Sequence, residues 1–195
     1  MNTLITITGP TCSGKSTLEK MLRDQFKLQR IISFTTRKPR EGEKDGVDYY
    51  FISKEEALKE IEAGHMAENV EFNDNYYGIQ GDQLELKLST GHAVVVVEPN
   101  GVKQLRQYCN QYGLNHRAAF ITNPPNVLMA RFLKRFKEDF RASPIDYASR
   151  GVSMLKYEQD WMFEFDYDMI FTSFDSSNEL AVMQQVYSDA VLSST

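Results

Sequence analysis

Near its start the chain reads Leu4-Ile5-Thr6-Ile7-Thr8-Gly9-Pro10-Thr11-Cys12-Ser13-Gly14-Lys15-Ser16-Thr17. Its first residues alternate between apolar side chains and threonine, which predicts a strand, and the strand runs directly into the pattern Gly-x-x-x-x-Gly-Lys-Ser. A strand, a glycine-rich loop and a helix start in this order are typical of a phosphate-binding loop, or P-loop. A glycine-rich turn that only caps a helix is the plainer alternative, and the flanking strand and helix make it unfavoured.

Each part of this loop has a role in holding a triphosphate. The two glycines allow backbone conformations in which successive N–H groups converge on a phosphate, and the following helix points its positive dipole end at the same place. The ammonium of Lys15 can reach the β- and γ-phosphates, and the hydroxyl of Ser16 can bind Mg²⁺. We therefore expect a nucleoside triphosphate site formed by Gly9, Pro10, Thr11, Cys12, Ser13, Gly14, Lys15, Ser16 and Thr17.

The composition limits the number of domains, the class of partner and the cellular setting. A chain of 195 residues, 42% hydrophobic and 25% charged, fits one globular domain, and its net charge of −5 argues against a nucleic-acid polymer as the main partner. Two cysteines, Cys12 and Cys109, are too few for a disulfide framework and indicate a reducing, cytoplasmic setting. No apolar run approaches the length of a membrane span and no leader precedes the first strand, so we expect no membrane partner. We expect a monomer or a homodimer.

Strands and helices alternate along the chain. The run Ala93–Val97 contains four consecutive valines with no polar alternation, which predicts a strand buried on both faces of a parallel sheet. The other predicted strands are 30–35, 48–52, 66–72, 76–77, 117–121 and 168–172, and the predicted helices are 16–26, 54–63, 83–88, 101–112, 126–137, 146–163 and about 177–192. This order predicts an α/β fold, with a doubly wound parallel sheet in the core (1–34 and 81–195) and an inserted small α+β lobe at 35–80.

A polar, turn-rich run follows the second predicted strand. It reads Thr35-Thr36-Arg37-Lys38-Pro39-Arg40-Glu41-Gly42-Glu43 and has three cations in four positions. A charge run is usually only a solvated surface. Here the cations are held by neighbouring threonines and a proline, and they follow a strand that we expect beside the P-loop strand. We therefore favour anion binding.

These runs together resemble the guanylate kinase family of nucleoside monophosphate kinases. The residues that carry the resemblance are the P-loop, Ser33-Phe34 with the cation run, Gly46-Val47-Asp48-Tyr49-Tyr50-Phe51 and Asn75-Tyr76-Tyr77-Gly78. The resemblance covers nearly the whole chain and is strongest up to residue 80. It implies a P-loop core, a monophosphate-binding lobe at 35–80 and a mobile helical lid at about 134–150.

By position, the resemblance implies that the 5′-phosphate of an acceptor nucleotide is held by Arg37, Arg40, Tyr49 and Tyr77. Two guanidinium forks and two phenol hydroxyls satisfy a phosphate dianion without a metal. Ser33 and Glu68 match positions that contact the guanine base in the family. A carboxylate that accepts from two adjacent N–H groups discriminates strongly between bases. Taken alone, Glu68 would be an ordinary exposed residue.

The chain departs from the family pattern where the acceptor base is expected. After Tyr77-Gly78 the family usually has Ser or Thr, whereas Ile79 cannot form a hydrogen bond. The run Val96-Val97-Glu98-Pro99-Asn100-Gly101 replaces Asp-x-Asp-x-Gln-Gly, so that Glu98 stands for the second carboxylate. We expect Gly78, Ile79 and Glu98 at the acceptor, where an apolar isoleucine would suit an altered base. Alternatively, Ile79 turns into the lobe's own core and Glu68 alone selects guanine.

The resemblance also implies lid arginines that close over the triphosphate. Arg131 and Arg135 lie at i and i+4 and share one helical face, and Arg150 follows at a longer spacing than the family pattern. Arg141 is ambiguous between lid and surface, and Phe136 stands where the family has glycine.

The favoured interpretation is phosphorylation of a (deoxy)nucleoside 5′-monophosphate, foremost GMP or dGMP, with ATP as donor and Mg²⁺ as cofactor. The resemblance gives catalytic roles to Lys15, Arg37, Arg135 and Arg150, which would align and neutralise the two phosphates. A related kinase for a different or modified nucleotide, or for a sugar phosphate, stays open. So does a non-catalytic, protein-binding guanylate kinase-like module, although such modules tend to lack an intact P-loop. A regulatory GTPase would leave Arg37 and Arg40 unexplained.

Overall fold

A computed structural model of the chain describes residues 1–39, 42–72, 74–138, 144–158 and 160–191. The strands are β1 (Thr3–Thr8), β2 (Gln29–Arg30), β3 (Phe34–Thr35), β4 (Tyr50–Phe51), β5 (Met66–Phe72), β6 (Asn75–Gln80), β7 (Ala93–Val96), β8 (Asn115–Ile121) and β9 (Met169–Phe171). The helices are α1 (Lys15–Phe26), α2 (Lys54–Glu62), α3 (Gly81–Thr90), α4 (Pro99–Tyr112), α5 (Pro125–Glu138), α6 (Pro144–Lys156) and α7 (Glu179–Val191), with a 3₁₀ helix at Asp160–Phe163.

The core is a parallel sheet with helices on both faces. Its strand order is β2-β7-β1-β8-β9, and the register pairs Ile5 with Val94 and with Arg117. Because side chains alternate along a strand, β1 sends Ile5 and Ile7 to the face covered by α1 and α7, while Leu4 packs with α3 and α4. The predicted doubly wound α/β core is therefore confirmed, with the P-loop strand at its centre.

A second sheet lies within residues 34–80, so it begins at Phe34, one residue before the lobe predicted at 35–80. Its order is β4-β3-β6-β5, in which β5 and β6 make an antiparallel hairpin and β3 pairs antiparallel with β6. Helix α2 packs against this hairpin. The helix begins at a capping box, since the Ser53 side chain accepts from the Glu56 N–H while the Glu56 carboxylate accepts from the Ser53 N–H.

Two predicted elements are wrong in detail. The predicted strand 30–35 is two strands in two sheets, because the chain leaves the core sheet after Arg30 and buries Ile31 under α3 and α4 before β3 begins. The predicted helix 146–163 ends at Lys156. Of the residues that would have continued it, Trp161 and Met162 instead pack against the cluster that contains the buried Phe120 of β8. None of the helices in the described ranges is long and apolar enough to cross a membrane.

A polar network links the central strand β1 of the core sheet to β8 and to the start of the edge strand β9. Arg106 of α4 donates from Nε to Nδ1 of His116 at 3.2 Å, so the neutral ring carries its proton on Nε2 and donates to Thr6 Oγ1 at 2.9 Å. Arg106 and Arg117 both pair with Asp168, whose carboxylate also accepts from the Ala118 N–H. Burial and the neighbouring Arg106 charge lower the pKa of His116 to about 4.

This pKa predicts a loss of stability in mild acid. The unfolded chain binds a proton at His116 near pH 6.5 and the folded chain only near pH 4, so the free energy of unfolding falls as the pH drops from 7 to 4. We expect His116 to contribute about 2–3 kcal/mol to this fall. Urea unfolding at several pH values, in the wild type and in His116→Gln, measures it. An equal pH slope in both proteins would contradict the assignment.

Candidate active site

One large cleft of about 1420 Å³ brings most of the predicted site residues together. It opens where the core strands β1 and β7 end, which is where open α/β sheets bind their ligands. The predicted residues that line it are Thr11, Cys12, Gly14, Lys15, Ser16, Thr17, Ser33, Arg37, Tyr49, Glu68, Tyr77, Ile79, Glu98, Arg131 and Arg135. Four others, Gly9, Pro10, Ser13 and Gly78, are buried. Arg40 and Arg141 lie outside the described residues, as does the side chain of Arg150.

The two P-loop glycines are required by close packing as well as by backbone conformation. Gly9 has a φ of +152°, and a Cβ there would lie 1.9 Å from the carbonyl oxygen of Ile121. Gly14 has a φ of +105°, and a Cβ there would lie 2.6 Å from the ring of Phe174. The loop is therefore wedged between the end of β8 and the segment that follows β9.

The ammonium of Lys15 is held inside this loop. Its Nζ donates to the carbonyl oxygens of Gly9 at 2.7 Å and Pro10 at 2.8 Å. Burial lowers the pKa of Lys15 to about 8, although the nearby charges of Glu158, Cys12 and Glu98 oppose that shift. A partly desolvated cation at the cleft wall is well suited to a phosphate, because its field is little screened by water.

Two buried side chains that the sequence did not identify hold the loop in place. Asn123, which is 4% exposed, donates to the Ser13 carbonyl at 3.1 Å and accepts from the Phe174 N–H at 3.0 Å. Glu158 accepts from the Thr11 N–H. Asn123 follows the predicted strand 117–121 at the carboxyl edge of the sheet. This position was the one feature of the sequence that could have identified Asn123 as a residue of the site.

Of the predicted lid arginines, Arg131 binds protein backbone in this structure. Its guanidinium donates to the carbonyls of Cys12 and Phe174, the latter at 2.8 Å. Arg135 lies one turn further along α5 and lines the cleft. Helices α5 and α6 meet at Gly151, where a Cβ would lie 3.2 Å from the Phe132 ring. Contacts of Arg131, Arg135 and Arg150 with a triphosphate stay a prediction.

The donor set fits Mg²⁺ that arrives with a triphosphate. Ser16 is exposed on the cleft wall, as the metal assignment requires. The described part of the chain has no group of three or more His, Cys, Asp or Glu residues that could hold a metal by themselves. Mg²⁺ at nucleotide sites takes one or two protein ligands and fills its shell with phosphate oxygens and water, so Ser16 would suffice.

Across the cleft, Arg37, Tyr49 and Tyr77 form a cluster. The guanidinium of Arg37 lies 5.1 Å from the centre of the Tyr49 ring, and the two tyrosine rings meet edge to face at 6.1 Å. Both Arg37 Nη atoms bind the carboxylate of Glu43, at 2.6 and 2.7 Å, and this bidentate pair raises the pKa of Arg37. The role of Glu43 as the partner of Arg37 was not predicted, although its charge, opposite to that of the cations in the same run, was a signal for it.

Glu68 lies in the cleft wall as a buried carboxylate. It is 7% exposed, which excludes an ordinary surface role. Its carboxylate packs over Gly101, where a Cβ would lie 3.3 Å from Oε1. Burial, and secondarily the charge of Glu98, raise the pKa of Glu68 to about 7. Burial also raises the pKa of Glu98, which precedes α4, and Lys15 opposes that change.

Ile79 belongs mainly to the hydrophobic core. Its side chain is 1% exposed and packs with Leu4, Leu84 and Leu105, so it offers almost no surface to the cleft it borders. Its neighbour Gly78 lies against the Phe34 ring and the Glu68 backbone. The burial supports the interpretation in which Ile79 is structural, and a contact of Ile79 or Gly78 with an acceptor stays a prediction.

Comparisons with known proteins agree with this geometry. The family model described as guanylate kinase matches residues 1–182. The guanylate kinase of Latilactobacillus sakei is 44% identical over 132 residues, which cover 66% of this chain and 62% of that protein, less than two thirds of its length. The guanylate kinase of Synechococcus sp. is 34% identical over 86% of this chain and 74% of its own length. The crystal structure of guanylate kinase from Anaplasma phagocytophilum shares the fold at 20% identity, with a TM-score of 0.64 over 97% of this chain and 86% of that one.

The buried carboxylate predicts a stabilising substitution. Because the folded chain protonates Glu68 near pH 7 and the unfolded chain near pH 4.5, the free energy of unfolding falls as the pH rises from 4.5 to 7, and the full loss is present above pH 7. We expect Glu68→Gln to raise the free energy of unfolding by up to about 3 kcal/mol more at pH 8 than at pH 4. Glu71→Gln, on an exposed position of the same strand, is the matched control. Equal effects of the two substitutions at pH 8 would contradict the burial argument.

Proposed function

Because the chain belongs to the guanylate kinase family, we propose that it transfers a phosphoryl group from ATP to a nucleoside 5′-monophosphate, with GMP or dGMP as the first acceptor. One observation carries the proposal. A single cleft is lined on one side by P-loop residues that include Lys15 and Ser16, and on the other by Arg37, Tyr49 and Tyr77. Two anion sites that face each other across one cleft suit transfer between two phosphates.

The donor side would bind the triphosphate through backbone N–H groups of the loop and through Lys15. Its ammonium now rests on two carbonyl oxygens, so a phosphate can replace neutral partners with charged ones. Ser16 would hold Mg²⁺, which supplies further neutralisation of the β- and γ-phosphates when bound. Arg135 on α5 borders the same space and would add a cation when the helices close.

The acceptor side would bind the monophosphate through Arg37 and the two tyrosine hydroxyls. The guanidinium fork that Glu43 now occupies matches a phosphate equally well, so acceptor binding would exchange one bidentate anion for another. The pair with Glu43 also fixes the direction of the fork before a substrate arrives. Such preorganisation reduces the entropy lost on binding.

Glu68 is the candidate for reading the acceptor base. An ionised carboxylate accepts from two adjacent N–H groups, which is the edge that guanine presents. Because Glu68 is buried, its ionised form is costly until such donors are present, and that cost penalises bases without them. The departures at Ile79 and Glu98 favour a second candidate, a kinase for a different or modified nucleoside monophosphate. A coupled ADP-release screen over common and modified monophosphates distinguishes the two.

Loss of the P-loop cation should abolish turnover. We expect Lys15→Ala to lower kcat by about a thousandfold in that coupled assay, since it removes a charge that acts on the phosphates in the transition state. Lys20→Ala, on the exposed face of the same helix, should retain activity and controls for changes in α1. Near wild-type turnover of a folded Lys15→Ala protein would refute the donor site.

The acceptor phosphate site can be tested separately. Tyr77→Phe removes one hydroxyl donor and should raise the KM for the monophosphate about fivefold to tenfold, while the KM for ATP changes little. Tyr76→Phe makes the same change on the neighbouring residue, which does not line the cleft. If Tyr77→Phe weakened ATP as strongly as the monophosphate, the two sites would not be separate.

A further inference from the structure

Glu158 is a buried carboxylate that nothing in the proposed reaction requires. It follows the end of α6, is 5% exposed and accepts from the Thr11 N–H at 2.5 Å, across 147 positions of sequence. The backbone N–H groups of a P-loop are the groups that bind phosphate. In this structure one of them is therefore already bound to an anion of the protein itself.

Glu158 has charged neighbours in the loop, at Lys15, and after β7, at Glu98. The negative charge of Glu158 raises the pKa of Lys15, and it also raises that of Glu98. Glu158 is therefore a negatively charged neighbour of a cation whose hydrogen bonds go to uncharged carbonyls. A buried lysine needs such a neighbour, because an isolated buried charge is costly.

We propose that Glu158 is an internal counter-anion of the P-loop, a positioning residue that holds the Thr11 N–H and is displaced when the phosphates of a donor bind. A triphosphate uses the same N–H groups and the same lysine, and two anions cannot share them at short range without repulsion. Displacement would release the segment after α6 from the loop. Donor binding would in this way be coupled to movement of the helix that we expect to form part of the lid.

The segment carries its own reporter. Trp161 is the only tryptophan in the sequence and follows Glu158 by three residues. It packs against the cluster of Phe120 and Tyr167, and its carbonyl accepts from the Tyr167 hydroxyl at 3.1 Å. Movement of Glu158 away from the loop should change the surroundings of this indole and its emission.

The test is a titration of the full chain with tripolyphosphate and with MgATP, followed by Trp161 emission and by calorimetry. At pH 6.5 Lys15 of the wild type, whose pKa is about 8, is protonated. We expect Glu158→Gln to bind both ligands about fivefold to tenfold more tightly than the wild type, because the acceptor atom is kept and the competing charge is removed. Asp160→Asn removes the same charge from an exposed site two residues away and should change the Kd less than about twofold.

A second variant tests the displacement itself. Glu158→Ala loses the acceptor atom, so its emission without ligand should already match that of the ligand-saturated wild type. Equal or weaker binding by Glu158→Gln, or wild-type emission that does not change at saturation, would overturn the inference.

The inference rests on the proposed function only in that the loop must bind a triphosphate. Binding of tripolyphosphate without turnover of any monophosphate would overturn the proposed function alone. A wild-type protein that binds no tripolyphosphate would overturn the inference and the donor site together.

Discussion

A buried lysine ammonium inside a glycine-rich loop is the interaction on which the rest of the site depends. Lys15 can be held there only because the loop turns its carbonyls inward. The loop can do so only because positions 9 and 14 are glycines, since the neighbouring residues leave no room for a Cβ at either position. Asn123 and Arg131 bind the outer carbonyls of the same loop and join it to the segment after β9. Mutations at these supporting residues should therefore act on the site through the shape of the loop.

On both sides of the cleft, groups that could bind a phosphate already have partners within the protein. Arg37 is paired with Glu43, and the Thr11 N–H is held by Glu158. Glu68 is different, since burial and a neighbouring carboxylate make its charge unfavourable. Proteins commonly accept such a loss of stability at functional sites. A ligand that brings donors to Glu68 would relieve this unfavourable state, which gives a physical reason for selectivity.

The features that were predicted from sequence are those carried by local pattern. The strand, loop and helix of the P-loop are contiguous, and the valine run after His92 marks a strand buried on both faces. Other features depend on tertiary structure. The division of 30–35 between two sheets, the contact of Glu158 with Thr11 and the burial of Ile79 join residues that are distant in sequence, so no periodicity encodes them. Asn123 and Glu43 had weak local signals, namely position after a strand and charge opposite to a cation run.

A crystal structure with a bisubstrate analogue, in which adenosine and guanosine are joined by a chain of five phosphates, tests most directly whether one cleft holds donor and acceptor together. We expect the phosphate chain to run from Lys15 and Ser16 to Arg37 and Tyr77, with the guanine edge against Glu68. Binding of the guanosine end away from Arg37 and Glu68, or of the phosphates away from Lys15, would contradict a shared cleft for the two substrates.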